Sequence, residues 1–199
     1  MKNQEHIVCI KASAVEHRKD GFVNYELNNA DVMLGQRAAL ENDPDFRQVL
    51  PMAVFTCNGK VWAYERTPKS GESRLHGKVA VTIGGHWDST DCIMGETGVM
   101  DVAASMKLAM ERELDEEVNI KSKIISSKEL KKRICADDTE VDRLHMAVVY
   151  VHELDGEQLE SSEDQLKGLG FISPEELLSG KYNIEAWARL TCELLTEEQ

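Results

Sequence analysis

The residues that decide the fold are Arg112-Glu113-Leu114-Asp115-Glu116-Glu117-Val118-Asn119-Ile120, which end a segment with helical periodicity. Residues three or four apart share one face of an α-helix, so Glu113, Glu116 and Glu117 are predicted to point the same way. Like charges at this spacing repel one another. A hard divalent cation with oxygen ligands would relieve that repulsion, whereas most acidic runs are simply solvated surface. The spacing alone leaves both interpretations open.

The preceding residues predict a helix over 101–118, capped by Asp101 or, if it starts late, by Ser105. Apolar side chains recur there at helical spacing and predict one buried stripe. The members of that stripe are Val102, Met106, Ala109, Met110 and Leu114.

Composition indicates an ordinary globular protein with one domain, or one domain with an extension. The chain has 199 residues, of which 42% are hydrophobic, and a formal net charge of −13. Such an acidic surface repels a nucleic-acid duplex and an anionic membrane. If the substrate is an anion, a bound metal or a local Arg/Lys cluster must offset the field.

Cysteine usage and the N-terminus favour a cytoplasmic location. The five cysteines are scattered, with no Cys-x-x-Cys pair, which argues against a disulfide framework and a structural zinc site. The first residues lack the apolar core of a signal peptide. No apolar run approaches the ~20 residues that span a bilayer.

The order of the predicted elements indicates an α/β fold with a mixed sheet and helices on its faces. Asn58-Gly59 is a two-residue turn signal between strands 51–57 and 60–66. A buried strand over 79–83 ends at Gly84-Gly85-His86, and another strand covers 144–154. Ser173-Pro174 opens one helix, and an amphipathic helix covers 184–196. Residues 1–50 are predicted to form an ordered N-terminal extension packed on a domain over 51–199.

Gly84-Gly85-His86, a loop and a helix ending at residues 112–120 resemble the Nudix hydrolase (MutT-like) family. Its sequence box reads Gly, five residues, Glu, seven residues, then Arg-Glu-apolar-x-Glu-Glu-x-Gly-apolar. Counted back from Arg112, the glycine is Gly98, but Ala104 stands at the first glutamate and Asn119 at the last glycine. A second alignment instead uses Gly85 and Glu96.

The resemblance extends over roughly residues 50–199 and implies a Nudix-type α/β/α sandwich with a mixed sheet between helices. Residues 74–78, followed by residues 83–86, are also similar to a branch described only as predicted phosphoesterases. The implied activity is metal-dependent cleavage of a phosphoanhydride bond in a nucleoside diphosphate linked to another group, or in a related nucleotide. The implied partner is a small nucleotide or other diphosphate, and a homodimer is compatible with the sequence.

The resemblance also assigns roles to individual residues. Mg²⁺ or Mn²⁺ would be held by Glu113, Glu116, Glu117 and the carbonyl of Gly85. Arg112 would pair with Glu116 and orient it. Glu113 or Glu163 would act as general base. The cations expected to contact the phosphates are Arg66, Arg74 and Lys78, although exposed cations are usually only solvated.

Two alternatives remain beside a hydrolase. The departures at Ala104 and Asn119 are compatible with a Nudix-fold nucleotide-binding or regulatory protein with weak or no hydrolysis. Cys92, in the loop after Gly-Gly-His, keeps open an isomerase like the isopentenyl diphosphate isomerase relatives, which need an active-site cysteine and a catalytic glutamate.

Overall fold

The computed structural model describes residues 5–15, 21–70, 73–162 and 164–197. The strands are β1 (His6–Lys11), β2 (Phe22–Val23), β3 (Met33–Gln36), β4 (Phe46–Cys57), β5 (Lys60–Arg66), β6 (Val79–Ala80), β7 (Ile83–Gly84), β8 (Val118–Ile120), β9 (Ile124–Glu129), β10 (Arg133–Ile134), β11 (His145–Leu154), β12 (Leu159–Ser161) and β13 (Leu166–Ile172). The helices are α1 (Arg37–Leu40), α2 (Val102–Glu117), α3 (Glu140–Arg143), α4 (Pro174–Leu178) and α5 (Ala186–Glu197). The predicted α/β class, with a large mixed sheet and helices, is confirmed.

The chain divides into two compact units. The first unit comprises Met1–Met52, Gly84–Arg112 and Leu130–Val148. There β1 runs antiparallel between β3 and β4, and Cys9 faces Met33 on one side and Gln48 on the other. β10 pairs with β2 and with β11. Apolar residues 7–10 are fully buried, so β1 is a core strand of this unit.

The second unit comprises Ala53–Ile83, Glu113–Glu129 and Val149–Gln199. The end of β4 turns into β5 through Asn58 and Gly59, whose φ values of 51° and 75° confirm the predicted hairpin. β13 pairs along β5, β6 adds a short ladder to β5, and β9 pairs with β11. Helices α4 and α5 pack together, and Ser173 caps α4 as predicted.

Local sequence signals located several of the longer elements within about five residues. Helix α2 matches the prediction, and its whole apolar stripe is buried. The predicted continuous strand over 79–83 is wrong, because the chain forms β6 and then β7 instead. The interruption falls at Thr82, whose carbonyl accepts a hydrogen bond from the Tyr64 hydroxyl at 2.8 Å. A side chain there satisfies a backbone group that a strand ladder would otherwise use.

The division of the chain at residue 50 stays a prediction. β4 crosses that position without a break, from Phe46 to Cys57. Among the described residues, no helix combines the length and apolarity that crossing a membrane requires.

Candidate active site

Helix α2 ends with the three glutamates that the family resemblance implies as metal ligands. Glu116 is exposed and Glu113 and Glu117 are partly exposed, while Leu114 is buried. The helix is continuous through Glu117, so the three carboxylates share its last turn and its solvent side. Each of them also takes part in a polar or electrostatic interaction.

The donor chemistry of this turn fits a hard divalent cation. Carboxylate oxygens are the ligands that Mg²⁺ and Mn²⁺ prefer. In the part of the chain that the structure describes, no three His, Cys, Asp or Glu side chains lie close enough together to hold a metal ion. Glutamate side chains that are exposed or partly exposed can change rotamer at modest cost when a cation binds.

Arg66, at the end of β5, is anchored by an ion pair. Its Nε donates to Oε1 of the buried Glu185 at 2.5 Å, and its guanidinium carbon lies 5.6 Å from the centroid of the Tyr64 ring. Burial alone would lower the pKa of Arg66, but Tyr64, Glu185 and Glu117 more than offset it, so the pKa is raised. The negative charge of Glu117 therefore acts on Arg66. A direct contact of Arg66 with substrate stays a prediction.

The acidic segment 157–164 lies beside the end of α2. β8, which follows α2 directly, pairs with β12, so that Val118 faces Ser161 and Ile120 faces Leu159. The backbone N–H of Ser162 donates to the carbonyl of Glu117 at 2.9 Å. Glu163, the predicted alternative base, lies outside the described residues. Its chain neighbour Ser162 therefore bonds directly to the last residue of α2.

An open cleft of about 610 Å³ borders this segment. Its wall includes Ser162, which is bonded to the end of α2. The residues that line it are Trp62, Thr67, Leu159, Glu160, Ser161, Ser162, Asp164, Leu166, Lys167, Gly168 and Gly170. The sequence did not reveal this cleft. The local sequence feature associated with the cleft is the pair of glycines in β13, where the hydrogen-bond ladder to β5 changes register.

Arg74 and Lys78 lie in the segment between β5 and β6. Arg74 is exposed in the 3₁₀ turn Ser73–Leu75, and Lys78 is half-buried. Backbone hydrogen bonds from Gly77 to Arg66 and from Arg66 to Lys78 close the segment onto the end of β5. Three cations predicted to bind phosphate, Arg66, Arg74 and Lys78, are therefore connected through the backbone of one short segment.

Arg112 forms a bidentate ion pair with Asp91. Its Nε and Nη2 donate to Oδ1 and Oδ2 of Asp91 at 3.1 and 2.9 Å, and Nη2 also donates to the carbonyl of His86 at 3.0 Å. Asp91 ends the 3₁₀ helix Ser89–Asp91 and is buried. No local sequence pattern indicates this pair, because its two residues are 21 positions apart. The pairing of Arg112 with Glu116 stays a prediction.

The Gly-Gly-His segment is shaped by its first glycine. Gly84 has a φ of 145°, and a Cβ built on it would lie 2.3 Å from the carbonyl oxygen of Pro51. Nε2 of His86 lies 2.8 Å from Oε1 of the buried Gln48. The carbonyl of Gly85 as a metal ligand stays a prediction.

Comparisons with known proteins agree with this fold. No protein-family model matches the chain. Protein YmaB of Bacillus subtilis (strain 168) is 30% identical over 163 residues, which cover 80% of this chain and 76% of YmaB. The crystal structure of Tm1382, described as a candidate Nudix hydrolase, superposes with a TM-score of 0.75 at 21% identity over 98% of this chain and 100% of Tm1382. DR0079 from Deinococcus radiodurans gives a TM-score of 0.52 at 18% identity over 86% of this chain and 95% of DR0079. The predicted Nudix-type fold is confirmed.

Proposed function

This chain belongs to the family of Protein YmaB and has the Nudix fold, and from that premise we propose that it is a metal-dependent pyrophosphohydrolase. Its substrate would be a nucleoside diphosphate linked to another group, or a related nucleotide. The proposed location is the cytoplasm.

One observation supports this function most directly: the acidic last turn of α2 is bonded to the wall of an open cleft. The carbonyl of Glu117 accepts from the N–H of Ser162, which lines the cleft beside Leu159 and Trp62. A substrate in the cleft would therefore lie next to carboxylates that can bind a cation. An anionic substrate would otherwise be repelled, because the chain carries a net charge of −13.

The proposed roles follow from the chemistry of each group. Glu113, Glu116 and Glu117 would hold Mg²⁺ or Mn²⁺, with the carbonyl of Gly85 as a further ligand. When bound, the cation neutralises the pyrophosphate and lowers the pKa of a bound water. Glu113 or Glu163 would accept the proton of the attacking water. The cations proposed to contact the phosphates are Arg66, Arg74 and Lys78.

The test is a panel of nucleoside diphosphate derivatives and nucleoside triphosphates, incubated with Mg²⁺ or Mn²⁺, with products identified by mass. Glu116→Gln and Glu117→Gln should each lower kcat by at least about a hundredfold, because each removes a charged metal ligand. The melting temperature without metal should hold or rise, since repulsion within the turn decreases.

Glu111→Gln is the matched control on the same helix. Glu111 is exposed and pairs with Lys107 at 3.6 Å, so its neutral variant should keep full activity. If both Glu116→Gln and Glu117→Gln also retained full activity, the metal-site assignment would be wrong.

The second candidate function is nucleotide binding without turnover, which Ala104 and Asn119 motivate. It predicts that calorimetry detects tight binding of a nucleoside diphosphate derivative, while mass analysis detects no product.

A further inference from the structure

We infer that Asp91 is a positioning residue of the proposed site, because its buried carboxylate holds the Arg112 guanidinium and so fixes the last turn of α2. This inference rests on the proposed function, since it concerns the carboxylates that immediately follow Arg112. Asp91 is at neither position 104 nor position 96, where the two alignments place the first glutamate of the family's sequence box.

The pair has the geometry of a strong interaction. Two N–H···O bonds join the Arg112 guanidinium to both oxygens of Asp91, at 3.1 and 2.9 Å. The Asp91 side chain is 5% exposed and that of Arg112 is 31% exposed. Bidentate, charge-assisted bonds shielded from water are stronger and more directional than exposed ion pairs.

Asp91 is itself held in place by a capping box. Its Oδ2 accepts from the backbone N–H of Asp88 at 3.1 Å, and Oδ1 of Asp88 accepts from the N–H of Thr90 at 2.8 Å. The carbonyl of His86 binds the same guanidinium at 3.0 Å. The short segment 86–91 thus contacts Arg112 at two points, one through a side chain and one through the backbone.

The two positions aligned with the first glutamate of the box, 104 and 96, have different environments. The backbone N–H of Ala104 donates to Oδ1 of Asp101 at 3.0 Å, so Asp101 caps the helix. Glu96 is exposed in the turn between Met94 and Met100. The carboxylate that binds the Arg112 guanidinium is that of Asp91, 21 residues before the arginine.

Glu113 follows Arg112 directly, and Glu116 and Glu117 complete the same turn. Removing the Asp91 charge takes a buried anion away from the partly buried Arg112 guanidinium, which favours displacement of this helical turn. The three carboxylates would then have to be ordered at the moment when a cation binds, and the affinity for the cation would decrease.

The experiment compares the wild type with Asp91→Asn, Asp88→Ala and Asp101→Ala. Calorimetry measures the dissociation constant of Mn²⁺ without substrate, and hydrogen exchange measures protection of the amides of residues 113–117. Asp91→Asn should weaken Mn²⁺ binding at least tenfold, speed that exchange, and lower kcat with less effect on KM. Asp88→Ala keeps both charges and loosens only the capping box, so it should give a smaller effect in the same direction, and it remains informative if Asp91→Asn fails to fold.

Asp101→Ala is the control for a purely structural effect. It removes the cap of the same helix and should lower the melting temperature while keeping the wild-type affinity for Mn²⁺. If Asp91→Asn and Asp88→Ala also kept that affinity in an active protein, the inference would be overturned and the proposed function would stand. A wild type that neither binds Mn²⁺ nor cleaves any compound of the panel would overturn both.

Discussion

Gly84→Ala is predicted to be strongly destabilising, because the backbone at this position excludes a side chain for two separate reasons. The φ of 145° lies in a region that residues with a Cβ rarely adopt. A Cβ there would also lie 2.3 Å from the Pro51 carbonyl oxygen and 3.1 Å from the Met52 sulfur. The oxygen belongs to the backbone of a core strand, so it cannot rotate away as a side chain could.

The magnitude follows from adding the two effects. A strained backbone conformation costs about 1–3 kcal/mol, and forcing extra volume into a packed region costs a further ~1–3 kcal/mol. The expected loss is therefore about 2–6 kcal/mol, a large fraction of the roughly 5–15 kcal/mol that stabilises a typical domain.

Gly59→Ala separates the two effects within the same chain. Gly59 also has a positive φ, 75°, but no atom lies within 4 Å of its built Cβ. Its alanine variant should lose only the conformational part, about 1–2 kcal/mol. The contact with Pro51 therefore predicts that Gly84→Ala loses about 2 kcal/mol more than Gly59→Ala.

Urea denaturation followed by tryptophan fluorescence measures both losses, since Trp62 and Trp87 are buried in the native protein. The slope of the unfolding free energy with urea should stay unchanged, so that a shift in midpoint reports stability alone. A loss for Gly84→Ala within about 0.5 kcal/mol of that for Gly59→Ala would refute the steric part of the reasoning.

Two further predictions concern buried polar groups. Glu185→Ala should cost about 2 kcal/mol of unfolding free energy in urea titration, because it leaves the Arg66 guanidinium partly buried without this anion. Glu193→Ala, which breaks the more accessible pair with Arg189, should cost only ~0.3–0.5 kcal/mol. Equal losses in the two variants would contradict this reasoning. Burial lowers the pKa of His145 and of His152 in the folded protein, so the unfolded chain binds more protons below about pH 6.5 and stability should fall as the pH drops through that value. His145→Asn, which can still donate to the Val141 carbonyl, should make that fall shallower between about pH 7.5 and about pH 5.5, whereas an equally steep fall would show that His145 does not contribute.

Local chemistry made much of the fold predictable from sequence. The turn at Asn58-Gly59 requires positive φ at both residues, the apolar stripe of α2 repeats at helical spacing, and Ser173 precedes a proline at the first position of a helix. Each of these signals depends on residues within one or two turns of each other. The same holds for Glu113, Glu116 and Glu117, whose common face follows from helix geometry alone.

Contacts between residues distant in the sequence could not be predicted in this way. The Arg66–Glu185 pair joins residues 119 apart, and the interruption at Thr82 depends on a hydroxyl from β5. The cleft is assembled from residues of β5, the loop after it, β12 and β13. No local pattern specifies which strands become neighbours, because pairing is chosen by the burial that the whole chain achieves.

The stretch at residues 112–120 shows both sides of this division. The sequence by itself determined that three carboxylates end one helix, because the helical repeat leaves them no other arrangement. Only the tertiary structure decided what holds that helix end, since Asp91 reaches Arg112 through folding of a loop 21 residues away. It also decided what lies beside the carboxylates, because the pairing of β8 with β12 brings the cleft to the end of α2.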